Sequence, residues 1–154
     1  MSNDAPPRPG TEELDAWRDV MHLMERLSAA LDAHLRRHCG LSLVEYDVLA
    51  ALSEVDDGTV GMSVLTGLTY TELSRLSHLM TRLEVRGLAR RERDRRNGRA
   101  MNAVITAAGL DRVRHAAPRH LAEMRRLVSD TLAPSDVHAL ELITDRVDGR
   151  LGTG

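Results

Sequence analysis

The sequence predicts a mainly α-helical chain with one small β-hairpin, in the order α-α-β-α-α-β-β-α-α, and three observations lead there. Apolar residues recur every three or four positions over most of the length, the period that places them on one helix face. Only residues 88–105 abandon that period, for two polar-rich extended runs around an Asn-Gly pair. Aromatic residues make up 2% (Trp17, Tyr46 and Tyr70), whereas the helix formers Leu, Ala, Met and Arg are abundant, the opposite of what a sheet sandwich uses.

Over residues 11–38 the stripe Leu14, Trp17, Met21, Met24, Leu27, Leu31 and Leu35, widened by Val20 and Leu23, predicts an amphipathic helix of about seven turns. Gly40 ends it, since glycine takes positive φ freely just past a helix. The stripe begins almost at the N-terminus and is broad enough to serve a second chain as well as its own core. Ser42 and Glu45 form a capping box for a second helix bearing Val44, Val48, Leu49 and Leu52 and stopping near Asp56-Asp57-Gly58. A short extended piece (residues 59–62), a helix over 63–68 and a turn at 69–71 follow. The next helix spans residues 72–86, with Leu73, Leu76, Leu79, Met80 and Leu83 on its apolar side.

Asn97-Gly98 between two extended runs signals a type I′ hairpin turn, in which both central residues need positive φ. Thr106 stands at a helix N-cap, and Leu110, Val113, Leu121, Met124, Leu127 and Val128 continue as a long helix that Pro118 should kink. Pro134 opens a last helix through Val137, Leu140, Ile143 and Val147, ending at Gly149.

A length of 154 residues, with 42% hydrophobic and 29% charged residues, fits one globular domain behind a short tail over residues 1–10. No apolar run approaches the roughly 18 residues of a membrane span, and the first ten residues lack the apolar core of a signal peptide. A lone cysteine, Cys39, fits a reducing compartment, so the expected location is cytoplasmic. Nucleophile elbow, P-loop, HExxH and paired catalytic carboxylates are all missing from the sequence, which speaks against an enzyme; no cofactor is expected.

The net charge of −2 hides an uneven distribution. From Arg75 to Arg99 nine arginines stand against Glu84, Glu92 and Asp94, a local excess of +6 on a remainder of −8. Such a patch on an acidic body is an electrostatic footprint for phosphate. Two short helices, a turn, a polar helix face and a basic hairpin compose a winged helix-turn-helix. In that arrangement the second helix of the pair enters the major groove and the hairpin reaches the neighbouring minor groove. Opposite its leucines the helix over 72–86 presents Ser74, Arg75, Ser77, His78, Thr81 and Arg82, short hydroxyls and cations of the kind that contact base edges and phosphates. Arg95, Arg96, Asn97 and Arg99 occupy the hairpin tip.

At these residues the sequence also resembles a known family. The run from Met62 to Glu84, continuing without a gap through Val-Arg-Gly-Leu-Ala-Arg-Arg91, looks like the helix-turn-helix and wing of MarR (multiple antibiotic resistance regulator) proteins. The likeness extends to the strand-to-helix junction Val104-Ile-Thr-Ala-Ala-Gly109, back to residues 40–49, and on to the C-terminal helices around Pro118 and Pro134, covering nearly everything from Thr11. It implies a homodimer held by residues 11–39 and 107–151, with a DNA-binding lobe over 42–106. Two recognition helices about 34 Å apart would then read a pseudo-palindrome in double-stranded DNA. It further implies a transcriptional regulator, a repressor relieved by a small-molecule effector. Carried over by position, Ser74, Arg75, Ser77 and His78 face the groove, Arg82 falls on an arginine position of the same helix, and Arg99 on the wing arginine.

Two residues depart from the family pattern. His78 stands where an arginine is usual, which weakens one guanine or phosphate contact or makes it pH-sensitive. Asn97 replaces the wing aspartate that steadies the arginine, with Asp94 near enough to substitute.

An effector, aromatic or anionic, is expected near Trp17, His38 and Tyr46, against the plainer reading of Trp17 and Tyr46 as core residues and His38 as a surface helix end. Cys39 as an oxidation sensor and the i, i+4 pair His34 and His38 as metal ligands are alternatives, each with a plainer reading: a small apolar filler, and a chance spacing among seven histidines. A winged helix serving only protein contacts is the remaining one.

Overall fold

The structure is a computed structural model and describes residues 10–152. The tail expected over residues 1–10 lies, apart from Gly10, outside them. The described chain runs α1 (Thr11–Cys39), α2 (Leu43–Ser53), β1 (Thr59–Gly61), α3 (Met62–Thr69), α4 (Leu73–Val85), β2 (Ala89–Arg93), β3 (Met101–Ile105), α5 (Ala107–Leu127) and α6 (Pro134–Leu151). A 3-10 turn at Ser129–Thr131 joins the last two helices. This is the mainly α order with a small antiparallel sheet that the sequence predicts.

Local chemistry sets the boundaries. Ser42 Oγ accepts the Glu45 N–H at 3.1 Å while Glu45 Oε2 accepts the Ser42 N–H at 2.9 Å, so two amides that lack intrahelical partners are satisfied at once. Gly40 ends α1 in the left-handed region at φ 65°. Thr106 Oγ1 caps α5 by accepting from the Gly109 N–H at 3.1 Å and donates to the Gly87 carbonyl at 2.6 Å, which fastens the helix to the loop before β2. Pro118 sits within α5 without ending it.

The sheet has the order β1-β3-β2, with Val60 and Arg91 on either side of Ala103. Leu35 of α1, Val48, Leu49 and Leu52 of α2, Leu65 of α3, Leu76, Met80 and Leu83 of α4, Ala103 of β3 and Ala116 of α5 are buried together in one core. That core lies under α4 from Leu76 to Leu83 and holds the recognition candidate along that stretch, whereas Leu73, expected on the same apolar side, is exposed at the start of the helix. At about 1.5–3 kcal/mol for each fully buried aliphatic side chain, this packing is the main force fixing α4 against the sheet.

Outside this core the chain leaves a large apolar surface open. Every residue of α6 is exposed, as are residues 11–26 of α1. Leu14, Trp17, Val20, Met21, Leu23 and Met24 line the open part of α1, and Val137, Leu140, Ile143 and Val147 line α6. Trp17, 59% exposed, is therefore no core residue of this chain, because the helix that carries it extends beyond the body it packs on.

Two local expectations need correction. The wing does not close on a two-residue Asn-Gly turn. Its strands end at Arg93 and Met101, and among the described glycines positive φ occurs at Gly40, Gly58 and Gly87, not at Gly98. Asp94 takes over instead. Its Oδ1 accepts the backbone N–H of Arg96 at 2.7 Å and of Asn97 at 3.3 Å, folding the tip as an aspartate-nucleated turn. The last helix also passes Gly149 and continues to Leu151, since a single glycine weakens a helix by only about 1 kcal/mol.

Candidate nucleic-acid interface

The apolar stripe of α4, with Leu76, Leu79, Met80 and Leu83 buried, turns the remaining residues outward. Ser74, Arg75, His78, Thr81 and Arg82 are exposed, and Ser77 is half-buried where the helix meets the wing. At the wing tip Arg95, Arg96, Asn97 and Arg99 are all exposed. A groove of about 670 Å³ runs between the two, bordered by Leu73 and Ser77 on α4 and by Arg91, Asp94 and Arg99 on the wing.

Arg91, which the sequence reading did not single out, joins the two halves. From β2 its side chain donates to Glu84 Oε2 at 2.6 Å (Nη2), to Thr81 Oγ1 at 3.0 Å and to Ser77 Oγ at 3.3 Å. Its backbone N–H donates to Glu84 Oε1 at 2.7 Å. Side-chain hydrogen bonding from Arg91 is the chief reason that the Glu84 carboxyl lies below its ordinary range, against a smaller opposing push from burial. Nothing local in the sequence distinguishes Arg91 from its eight arginine neighbours; the pairing depends on β2 returning alongside α4.

A second network anchors the other flank of α4. Glu45, buried in α2, accepts from Arg86 Nη1 at 3.1 Å and lies 3.6 Å from Arg82 Nε. Arg86 also donates to the Gly40 carbonyl. Arg82 is thus partly engaged inside the protein while remaining accessible, whereas Arg75 makes no hydrogen bond or ion pair with the described residues. Asn97 Oδ1 accepts the Arg99 N–H at 3.3 Å, so the residue standing in the aspartate position still braces the backbone of Arg99. Asp94, offered from the sequence as a substitute brace, holds the tip backbone rather than the Arg99 side chain.

The residues expected near an effector are only partly assembled. His38 is exposed and its ring lies 4.6 Å from that of His34. Tyr46, half-buried, meets the His120 ring of α5 at 4.6 Å. His34 Nε2 and His120 Nδ1 are buried without a hydrogen-bond partner among the described residues, and burial followed by the nearby His34 pushes the His120 pKa down. Trp17 lies 21 residues before His38, about 30 Å along one straight helix, so a single chain does not bring it to Tyr46. Cys39 is buried with its carbonyl accepting from Arg112. Among the described residues no group of three or more His, Cys, Asp or Glu is placed to share a metal ion, and no helix is long and apolar enough to cross a membrane.

An outward polar helix face braced against a basic two-stranded wing defines a DNA-binding regulator of the winged helix-turn-helix class. Solved structures agree. AbsC, a MarR family transcriptional regulator from Streptomyces coelicolor, matches with TM-score 0.89 and 34% identity over 96% of this chain and 99% of its own. Sco3205, a MarR family transcriptional regulator from the same organism solved in complex with DNA, matches with TM-score 0.89 and 33% identity over 95% of this chain and 91% of its own. BpsR of Bordetella bronchiseptica, whose DNA binding is regulated by 6-hydroxynicotinic acid, shares the fold at TM-score 0.67 and 20% identity over 84% of this chain and 98% of its own. No protein-family model and no curated protein sequence matches the chain. The chain belongs to the MarR family of transcriptional regulators, which are DNA-binding proteins rather than enzymes.

Proposed function

We propose that this regulator binds a pseudo-palindromic operator as a homodimer, one α4 in each of two successive major grooves and each wing in the flanking minor groove. The observation that carries the reading is the Arg91 clamp. It fixes the basic tip, with Arg95, Arg96 and Arg99, at one position relative to Ser74, Arg75, Ser77, His78, Thr81 and Arg82. Two elements held in fixed register can address adjacent grooves without a loss of loop entropy on binding.

The dimer is supported by the open apolar faces of α1 and α6, which in an isolated chain would leave large hydrophobic side chains in water. A second copy supplies an identical apolar surface, the arrangement a two-fold interface requires. Regulation fits a repressor whose operator affinity falls when a small aromatic or anionic effector binds beside His38, Tyr46 and His120, with Trp17 reaching that site from the partner chain. Selection from a random duplex library tests the operator claim. Enrichment of an inverted repeat with half-sites about one helical turn apart is expected; enrichment of no motif, or of a single half-site by a monomeric protein in sedimentation, would contradict it.

A further inference from the structure

On the flank of α4 away from the wing lies a second cleft, of about 480 Å³, whose lining includes Asp32 and Arg36 from α1 and Ser74, Arg75, His78 and Arg82 from α4. Four of these are cations or can become cations, and Ser74, Arg75 and His78 are the same residues that face the groove. The cleft therefore opens beside the DNA-facing surface rather than behind it.

Arg36 is the unexpected member. It stands on the long first helix, outside the 42–106 lobe. Its Nε donates to Asp32 Oδ2 at 2.6 Å, and the other oxygen of Asp32 accepts the Leu43 N–H of α2 at 2.8 Å. The guanidinium is thus held at the α1–α2 junction, while its two Nη groups make no hydrogen bond with the described residues and the side chain stays 63% exposed. A guanidinium fixed through one edge with the other edge open is pre-organised for an anion. Among the lining side chains Arg36, Arg75 and Arg82 stand against the single carboxylate of Asp32, and the buried Glu45 behind them is shared between Arg82 and Arg86.

We propose that this cleft seats a phosphodiester of the operator backbone at the edge of the major groove opposite the wing, and that Arg36 is one of its ligands together with Arg75. The proposal rests on the reading of α4 as the recognition helix. A major groove is bordered by two sugar-phosphate strands; the wing flank meets one of them, and Arg36 gives α1 a direct hold on the other. The dimerisation helix and the DNA are then joined by a single side chain.

The test is fluorescence anisotropy of the selected operator over a series of salt concentrations, with wild type, Arg36→Ala, Arg36→Lys, Asp32→Asn and Arg99→Ala. Loss of one phosphate contact lowers the slope of log K against log salt by about one and weakens all sequences alike. Arg36→Ala is expected to show that change and Arg36→Lys to retain the wild-type slope. Asp32→Asn keeps an oxygen for the Leu43 amide but gives up the acceptor that holds Arg36 Nε, so it is expected to retain the wild-type salt slope and to weaken binding less than Arg36→Ala does. Wild-type slope and affinity in Arg36→Ala, beside a weakened Arg99→Ala, would overturn this inference alone. Equal weakening by Asp32→Asn and Arg36→Ala would overturn it too, by showing that the pair acts only through the fold. Salt-insensitive binding by wild type itself would overturn both this inference and the reading beneath it.

Discussion

Glu84 and Arg91 share three hydrogen bonds: Glu84 Oε2 accepts from Arg91 Nη2 at 2.6 Å and from Nε at 3.1 Å, and Oε1 accepts the Arg91 backbone N–H at 2.7 Å. The last turn of α4 and the first wing strand are thereby tied through one side chain, and the same guanidinium orients the hydroxyls of Thr81 and Ser77. Glu84→Gln is expected to lower stability by about 1 kcal/mol in urea unfolding, a charge-assisted bond discounted for partial exposure. It is also expected to weaken operator binding by more than its stability effect explains, because the wing loses its fixed register. Unchanged operator affinity would remove the clamp from the account.

The same pair shapes the acid limb of the stability profile. Glu84 is held below its ordinary 4.5 in the folded chain, so its contribution is complete above that value and is lost as pH falls through the lower, folded value. Between pH 5 and 3, wild type should therefore lose more stability than Glu84→Gln, and the two unfolding curves should converge. Parallel curves across that range would contradict it.

His120 places a second, milder slope nearer neutrality. Burial, then the charge of His34, pushes it below its ordinary 6.5, so the fold favours the neutral ring. The unfolded chain takes up the proton first as pH falls, and the stability present above 6.5 declines toward the folded value. Melting temperature measured between pH 7.5 and 5 should fall less steeply in His120→Gln than in wild type.

Gly109 faces a close approach. A Cβ there would lie 2.0 Å from the Leu88 carbonyl oxygen and 2.9 Å from Ile105 Cγ1. Alanine ordinarily favours a helix over glycine by about 1 kcal/mol. Here Gly109→Ala should instead destabilise by about 2 kcal/mol or more, since α5 must move off the loop that opens the wing. A stabilised variant in thermal melts would show that this contact has slack.

Tyr70 is the reverse case. It caps α3 at φ 49°, where side chains other than glycine are strained, and is 97% exposed, so little packing compensates. Tyr70→Gly is expected to raise stability by about 1 kcal/mol in chemical denaturation.

The helical order was legible because the core is built from periodic leucines, and the ends because Ser42, Gly40 and Thr106 carry their own capping chemistry. The outward residues of α4 followed as the complement of a buried stripe. The wing turn was misread because Asn-Gly is a local signal, and here the Asp94 side chain outbids it from three residues earlier. Arg91, and Glu45 in its hold on Arg82 and Arg86, are not legible for a different reason: each takes that role from a partner on another element, and sequence spacing carries no trace of such contacts. Arg36 pairs with Asp32 one turn away on its own helix, and only the fold brings that pair beside α4.

The most direct measurement of the central claim is salt-dependent anisotropy on the selected operator and a scrambled duplex, comparing wild type with Arg75→Ala and Arg99→Ala. Tight binding that falls steeply with salt, prefers the operator, and is weakened by a change on either α4 or the wing is the result expected. Operator binding that neither substitution alters would contradict the claim that α4 and the wing together form the DNA-reading surface.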